Sequence, residues 1–198
     1  MAVLFHRLDD DRLIAMLKQG GVGVLPTDTV YGLVCLAANQ SSVERLFGDI
    51  KPREHKPGTV VGATLEQFVQ LGVKKRYLTA VEQFWPGPVS VEVPHGVAYL
   101  HRGTGRQAFR VPDNEPLRTL LASVGALQTT SANAPDQPTA GTIEQAQRYF
   151  GDKVDFYVDG GDRSNQPVST VIRVIDDAIE VVRQGAAHVD AAGRVLRG

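Results

Sequence analysis

The stretch Asp9-Asp10-Asp11-Arg12-Leu13-Ile14-Ala15-Met16-Leu17-Lys18-Gln19-Gly20-Gly21-Val22-Gly23-Val24-Leu25-Pro26-Thr27-Asp28-Thr29 runs from helix to strand to polar loop. Leu13, Ile14, Met16 and Leu17 recur at helical spacing. Aspartates favour the positive end of the helix dipole, and the Gly20-Gly21 pair ends the segment. Val22 to Leu25 then reads as a short β run delivered into a loop rich in hydroxyls.

The same alternation continues outward. Ser41-x-x-Glu44 predicts a capping box opening a helix through Val43, Leu46 and Phe47. Residues 59–61 read as a strand, Thr64-x-x-Gln67 as the cap of a short helix, and 76–85 as a helix stopped by Pro86-Gly87-Pro88. Residues 89–93 alternate apolar and polar, as a half-buried strand should, and 107–111 form another strand. Pro116 suits the first turn of a helix reaching Ser123, and 126–130 is a strand. Thr142-x-x-Gln145 caps a helix to Phe150, and the last strands cover 154–158, 169–175 and 179–182. With no repeat, low-complexity tract or dividing linker, this pattern indicates one α/β domain over 1–198. The polar motifs fall where strands end, which is where open α/β sheets bind ligands.

Composition narrows the function. The 198 residues are 42% apolar and carry a net charge of −1, so no global field attracts nucleic acid or anionic membrane. Basic residues nonetheless group locally: Lys51, Arg53, His55 and Lys56; Lys74, Lys75 and Arg76; His101, Arg102, Arg106 and Arg110. Cys35 is the only cysteine, which excludes an intrachain disulfide and a thiol zinc cluster; it reads as a small core residue. No N-terminal signal pattern and no apolar run near the ~20 residues of a membrane span is present, so a cytoplasmic location is expected.

Three motifs carry chemistry. Pro26-Thr27-Asp28-Thr29-Val30-Tyr31-Gly32, taken alone, reads as an ordinary turn with Asp28 and Thr29 bonded to backbone; the alternative is a polar floor for a small zwitterion. Lys51-Pro52-Arg53 is either a solvated basic loop or a point charge beside a planar fork, a combination suited to polyphosphate or carboxylate. Ser131-Ala132-Asn133 is either a turn cap or, with Thr129 and Thr130, a row of hydroxyls for phosphate oxygens. No Walker loop, metal-spaced histidines or nucleophile elbow occurs.

In order, Pro-Thr-Asp-Thr-Val-Tyr-Gly-Leu (26–33), Lys-x-Arg (51–53), Trp-Pro-Gly-Pro-Val (85–89), Arg-Val-Pro (110–112), Thr-Ser-Ala-Asn (130–133), Asp-Gly-Gly (159–161), Ser-Thr-Val-Ile (169–172) and Arg-Gln-Gly (183–185) resemble the YrdC family of threonylcarbamoyl-AMP synthases. The resemblance covers a core of about 12–186, and Lys-x-Arg with Ser-x-Asn is its most specific part. It implies a twisted, open mixed sheet flanked by helices, with a concave basic cavity. It also implies a nucleotidyltransferase that joins L-threonine, bicarbonate and ATP into L-threonylcarbamoyladenylate and pyrophosphate, for N6-threonylcarbamoyladenosine in tRNA. Carried over by position, Lys51 and Arg53 would be catalytic, and Lys51, Arg53, Ser131, Asn133 and Arg183 would hold the nucleotide. Thr27, Arg110, Thr129 and Ser169 would line the threonine pocket, with Arg110 taking the carboxylate. Mg²⁺ is expected with ATP, with its protein ligands unassigned, and tRNA threonylcarbamoyl transferase proteins are expected downstream.

The chain departs from the family pattern at a few places. The segment from Arg53 to Lys56 is one residue short, and Ala134-Pro135-Asp136 replaces the usual Leu-Ser-Gly. Two alternatives compete with the synthase: a YciO-like paralogue binding another ligand, and a module binding double-stranded RNA or tRNA weakly. The intact Lys-x-Arg and Ser-x-Asn favour the enzyme over the first, and the balanced charge argues against the second.

Overall fold

The computed structural model describes residues 1–52, 55–175, 178–190 and 194–196. Arg53 therefore lies outside the described residues.

Asp10 accepts the Arg12 backbone N–H and so starts helix α1 (Asp11–Lys18), whose Leu13 and Leu17 are fully buried. The chain opens one strand earlier than the apolar pattern predicts, with β1 (Val3–Phe5). After α1 come β2 (Gly23–Pro26) and β3 (Tyr31–Leu36), an antiparallel pair joined by the Thr27–Val30 loop. β3 is absent from the sequence reading because it is covered on both sides and runs apolar without alternation. Its Tyr31, Leu33 and Cys35 pack into one core cluster and Val34 into the other.

The Ser41 capping box is not formed. Helix α2 (Gln40–Arg45) is capped by Asn39, whose side chain accepts the Ser42 N–H, while Glu44 accepts a bond from Gln40 instead of reaching back. A π-helical turn, Leu46–Ile50, follows and delivers Lys51. Next come β4 (Thr59–Val61) and α3 (Leu65–Gln70), where Thr64 makes no capping bond and Gln67 alone accepts the Ala63 N–H. The helix expected over 76–85 is broken: α4 (Lys75–Thr79) stops, and a 3-10 turn, Glu82–Phe84, takes over. Val81 and Phe84 bond three residues back, which lets Leu78, Val81 and Phe84 all be buried.

β5 (Val89–Pro94), α5 (Ala98–His101) and β6 (Arg106–Arg110) lead to α6 (Glu115–Val124), capped by Asn114 with Pro116 in its first turn. β7 (Leu127–Ser131) precedes α7 (Ile143–Phe150). There the predicted Thr142 cap forms, with Thr142 accepting the Gln145 N–H, while the Gln145 side chain accepts the Gly141 N–H one residue before the cap. β8 (Phe156–Val158), β9 (Thr170–Ile175) and β10 (Ala178–Arg183) complete the large sheet, and β11 (His188–Val189) pairs with β12 (Val195–Leu196).

The ten strands run in the order β1-β8-β2-β3-β7-β4-β6-β5-β9-β10, with parallel and antiparallel neighbours mixed. It is a single open, mixed α/β sheet. Helices α1 and α6 bury Leu13, Leu17, Leu117, Leu120 and Leu121 against one face. The other face packs the larger cluster around Tyr31, Phe47, Phe68 and Phe109.

Candidate active site

A cavity of about 720 Å³ opens on the sheet, walled by strands from β3 across to β10. Strand alternation builds the wall. Arg106, Ala108 and Arg110 of β6 line it, while Gln107 and Phe109 between them are fully buried on the other side. Val171 and Arg173 of β9 follow the same rule, whereas Thr129, Thr130 and Ser131 at the end of β7 all line the cavity. The site therefore lies across a sheet face, not only at strand ends as the α/β pattern suggests. Thr27, Thr29, Val30 and Ser131 are the parts at strand ends.

The loop between β2 and β3 combines both readings of its sequence. The Thr27 hydroxyl donates to Val30 O at 2.7 Å and accepts the Thr29 N–H at 3.2 Å, so it is a turn stapled by its own hydroxyl. Thr27 and Thr29 also line the cavity. The segment from Gly160 to Arg163 holds this loop and the start of β3. The Arg163 guanidinium donates to Thr27 O at 2.7 Å. The buried Tyr31 hydroxyl donates to Gly161 O and accepts the Gly160 N–H, both at 2.8 Å. Gly160 must be glycine here, since a Cβ would stand 2.5 Å from Pro26 Cβ. Burial raises the Tyr31 phenol above its ordinary pKa, the Gly160 bond opposing this, so the hydroxyl stays protonated as a donor.

Arg110 is 3% exposed, and its Nη2 lies 3.1 Å from Asp28 Oδ1. Its Nη1 is 3.5 Å from the Thr29 hydroxyl, and its Nε is buried without a hydrogen-bond partner among the described residues. Burial pushes the Arg110 guanidinium below its ordinary pKa; Asp28 opposes this and Arg183 adds to it. Arg183 is itself pushed down by burial and donates to Ser169 O at 2.7 Å and to the Ser169 hydroxyl at 3.3 Å. Two guanidiniums thus converge on one cavity with the Asp28 carboxylate behind the first, leaving an excess of positive charge that suits an anionic ligand.

Arg183 is placed by Thr170. That buried hydroxyl donates to Ala187 O and accepts the N–H groups of Gly185 and Ala187, which folds the Arg-Gln-Gly turn back onto β9. The Gly185 position touches backbone so closely that a Cβ would meet Val168 O at 2.2 Å. Ser169 also accepts from Ser90 at 3.2 Å, and Ser90 accepts from Thr59 at 3.4 Å, a line of hydroxyls under the cavity wall.

Lys51 is not the solvated lysine of a surface loop. It is 6% exposed, and its ammonium donates to Ser131 O and to Asn133 Oδ1, each at 2.7 Å. The Ser131 hydroxyl donates to the same Asn133 oxygen at 2.6 Å, so its proton is turned inward, and its oxygen accepts a longer bond from the Lys51 ammonium at 3.4 Å. Lys51 and Asn133 reach the cavity through Ser131, which lines it. Thr27, Arg110, Thr129, Ser131, Ser169 and Arg183 are brought together around the cavity as the motifs predict. Asp28, Ser90 and the cavity-lining ion pair Glu92–Arg173 (2.8 Å) were not legible as site residues. Among the described residues no group of three or more His, Cys, Asp or Glu side chains is placed to hold a metal, and no helix is long and apolar enough to cross a membrane.

A family profile covering Sua5, YciO and YrdC proteins, described as "Telomere recombination", matches residues 15–185. The chain belongs to the Sua5/YciO/YrdC family. Among similar proteins of this family is the threonylcarbamoyl-AMP synthase of Stutzerimonas stutzeri, 33% identical over 166 residues that cover 80% of this chain and 89% of that one. The threonylcarbamoyl-AMP synthase of Idiomarina loihiensis is 36% identical over 151 residues, 70% of this chain and 79% of that one. Sua5 of P. abyssi, solved with L-threonine, superposes with a TM-score of 0.80 at 24% identity over 94% of this chain, which spans 58% of that protein. E. coli YciO superposes with a TM-score of 0.81 at 24% identity, over 97% of this chain and 100% of that one. At these identities the two structures establish the fold of this family member.

Proposed function

We propose that this chain forms L-threonylcarbamoyladenylate and pyrophosphate from L-threonine, bicarbonate and ATP, for threonylcarbamoylation of tRNA by partner transferases. The observation that carries this reading is the convergence of the buried Arg110 guanidinium and the Arg183 guanidinium, set among the hydroxyls of Thr27, Thr129 and Ser169 in one cavity. Relatives named threonylcarbamoyl-AMP synthase at 33% and 36% identity support it, as does the Lys51–Ser131–Asn133 cluster matching the family's most specific motif.

The chemistry follows from the residues. Arg110 pairs with the threonine carboxylate, leaving the neutral amine to attack carbon dioxide with loss of a proton, or bicarbonate with loss of water. The resulting carbamate oxygen attacks the α-phosphorus of ATP, and pyrophosphate leaves. Each step brings anions together, so Lys51, Arg53 and Arg183 offset the growing charge on the nucleotide, with Ser131 and Asn133 fixing its position. Holding the reactants in register contributes up to about 7–11 kcal/mol in favourable cases. Mg²⁺ enters with ATP, held mainly by phosphates. A cavity of about 720 Å³ falls within the usual range for small-molecule sites. The chain acts as a single domain over 1–198, in the cytoplasm.

Pyrophosphate release from ATP, Mg²⁺ and bicarbonate is the test. Release that requires L-threonine supports the synthase; ATP binding with no threonine-dependent release overturns it.

A further inference from the structure

We propose that Asp28 is a positioning residue that holds Arg110 in the orientation that receives a substrate carboxylate. The proposal rests on the reading of this cavity as a threonine site. Asp28 is 3% exposed at its side chain and stands behind Arg110, outside the cavity lining. Its two oxygens do different work. Oδ1 lies 3.1 Å from Arg110 Nη2, and Oδ2 accepts the Asp113 N–H at 3.1 Å. The carboxylate is thereby clamped to the chain three residues beyond the arginine it faces.

Asp28 is itself fixed. It sits in the loop stapled by the Thr27 hydroxyl and held from outside by Arg163 and, through the adjoining Tyr31, by Gly161. Arg110 needs such a partner, because its guanidinium is desolvated and repelled by Arg183. A buried cation with no counter-charge is strongly disfavoured and moves if it can. Its hydrogen bonds hold it weakly: the Thr29 contact is long, at 3.5 Å, and Nε has no hydrogen-bond partner among the described residues. The carboxylate of Asp28 thus anchors one amino group of the guanidinium by ion pairing, its Oδ1 making no hydrogen bond among the described residues, and leaves donors for a second carboxylate in the cavity. In the sequence, Asp28 looks like a turn residue; its charge is used at a distance, through Arg110.

The test compares two ligands on the intact chain and on Asp28→Asn. Asparagine keeps the size of the side chain and an oxygen for the Asp113 N–H, but removes the charge. L-threoninamide has the amine and side chain of threonine without the carboxylate. Calorimetry should show that Asp28→Asn weakens L-threonine by about tenfold or more while leaving L-threoninamide unchanged. Equal weakening of both ligands means a general structural role and overturns the proposal, as does unchanged threonine affinity.

A ligand-free measurement separates this from the functional reading. The Arg110 Nε–H resonance, assigned by its loss in Arg110→Lys, should exchange with solvent about tenfold faster in Asp28→Asn. Unchanged exchange overturns the positioning role. Faster exchange in a chain that binds no threonine overturns the carboxylate assignment and the proposed function, and leaves the hold of Asp28 on Arg110 standing.

Discussion

Lys51 shows how far a residue's environment can depart from its local sequence. Its neighbours Pro52 and Lys56 are exposed, yet its own ammonium is buried against Ser131 O and Asn133 Oδ1. The burial comes from the π-helical turn before it, whose Phe47 and Ile50 are drawn into the core. Replacing Lys51 with alanine should therefore cost stability as well as activity. Removing a charged donor from two part-buried acceptors is expected to lower unfolding free energy by about 1–3 kcal/mol, read by urea denaturation. Activity falling with no loss of stability would mean that the lysine acts on the ligand alone. The motif residues Thr27, Arg110, Ser131 and Arg183 were legible in the sequence through their order along the chain. Asp28 and Ser90 were not, because each acts on another side chain and only the fold brings the pairs together.

At the level of elements, Thr170 connects β9 to the turn that presents Arg183. Thr170→Val keeps the volume but strips the partner from the Gly185 and Ala187 N–H groups. A loss of about 1–3 kcal/mol is expected, together with a raised KM for ATP; steady-state kinetics with unchanged KM would free Arg183 from dependence on this turn.

The Arg45–Asp155 pair joins α2 to the start of β8, at 2.6 Å, with Asp155 also accepting the Val22 N–H at 2.8 Å. Burial raises the Asp155 carboxyl, but the Arg45 and Val22 bonds outweigh it and hold the carboxyl below its ordinary value. Because the folded value is lowered, the pair stabilises the protein above about pH 4, and that contribution is lost as pH falls further. Both side chains are about one-third exposed, so water screens the pair. Asp155→Asn should lower stability by about 1 kcal/mol at neutral pH and flatten the acid limb of a melting-temperature profile; parallel profiles would refute the coupling.

Helices α1, α6 and α7 were legible from caps and apolar spacing. α2 was misplaced because Asn39 competes successfully with Ser41 for the cap, and the 76–85 helix was overread because Leu78, Val81 and Phe84 fit a 3-10 spacing as well as an α one.

Over the whole molecule, the alternation of helices and strands identifies the class, but the sheet order does not follow from it. β8 inserts between β1 and β2, and β7 between β3 and β4, pairings that depend on contacts more than 60 residues apart, such as Leu33 with Thr130. That order brings Thr129 and Ser131 beside Gly32, where a Cβ would meet the Thr129 hydroxyl at 2.6 Å. It also sets Arg110 and Arg183, 73 residues apart in sequence, around the same cavity. The basic concave site is a property of this strand order, which the motif series implied only through its family resemblance.

The most direct measurement of the central claim is mass spectrometry of the nucleotide product formed from ATP, L-threonine and isotopically labelled bicarbonate. The expected result is threonylcarbamoyladenylate carrying the bicarbonate carbon, in equal amount to the pyrophosphate released. Pyrophosphate or AMP formed with no labelled adenylate would contradict the assignment of this cavity as a threonylcarbamoyl-AMP synthase site.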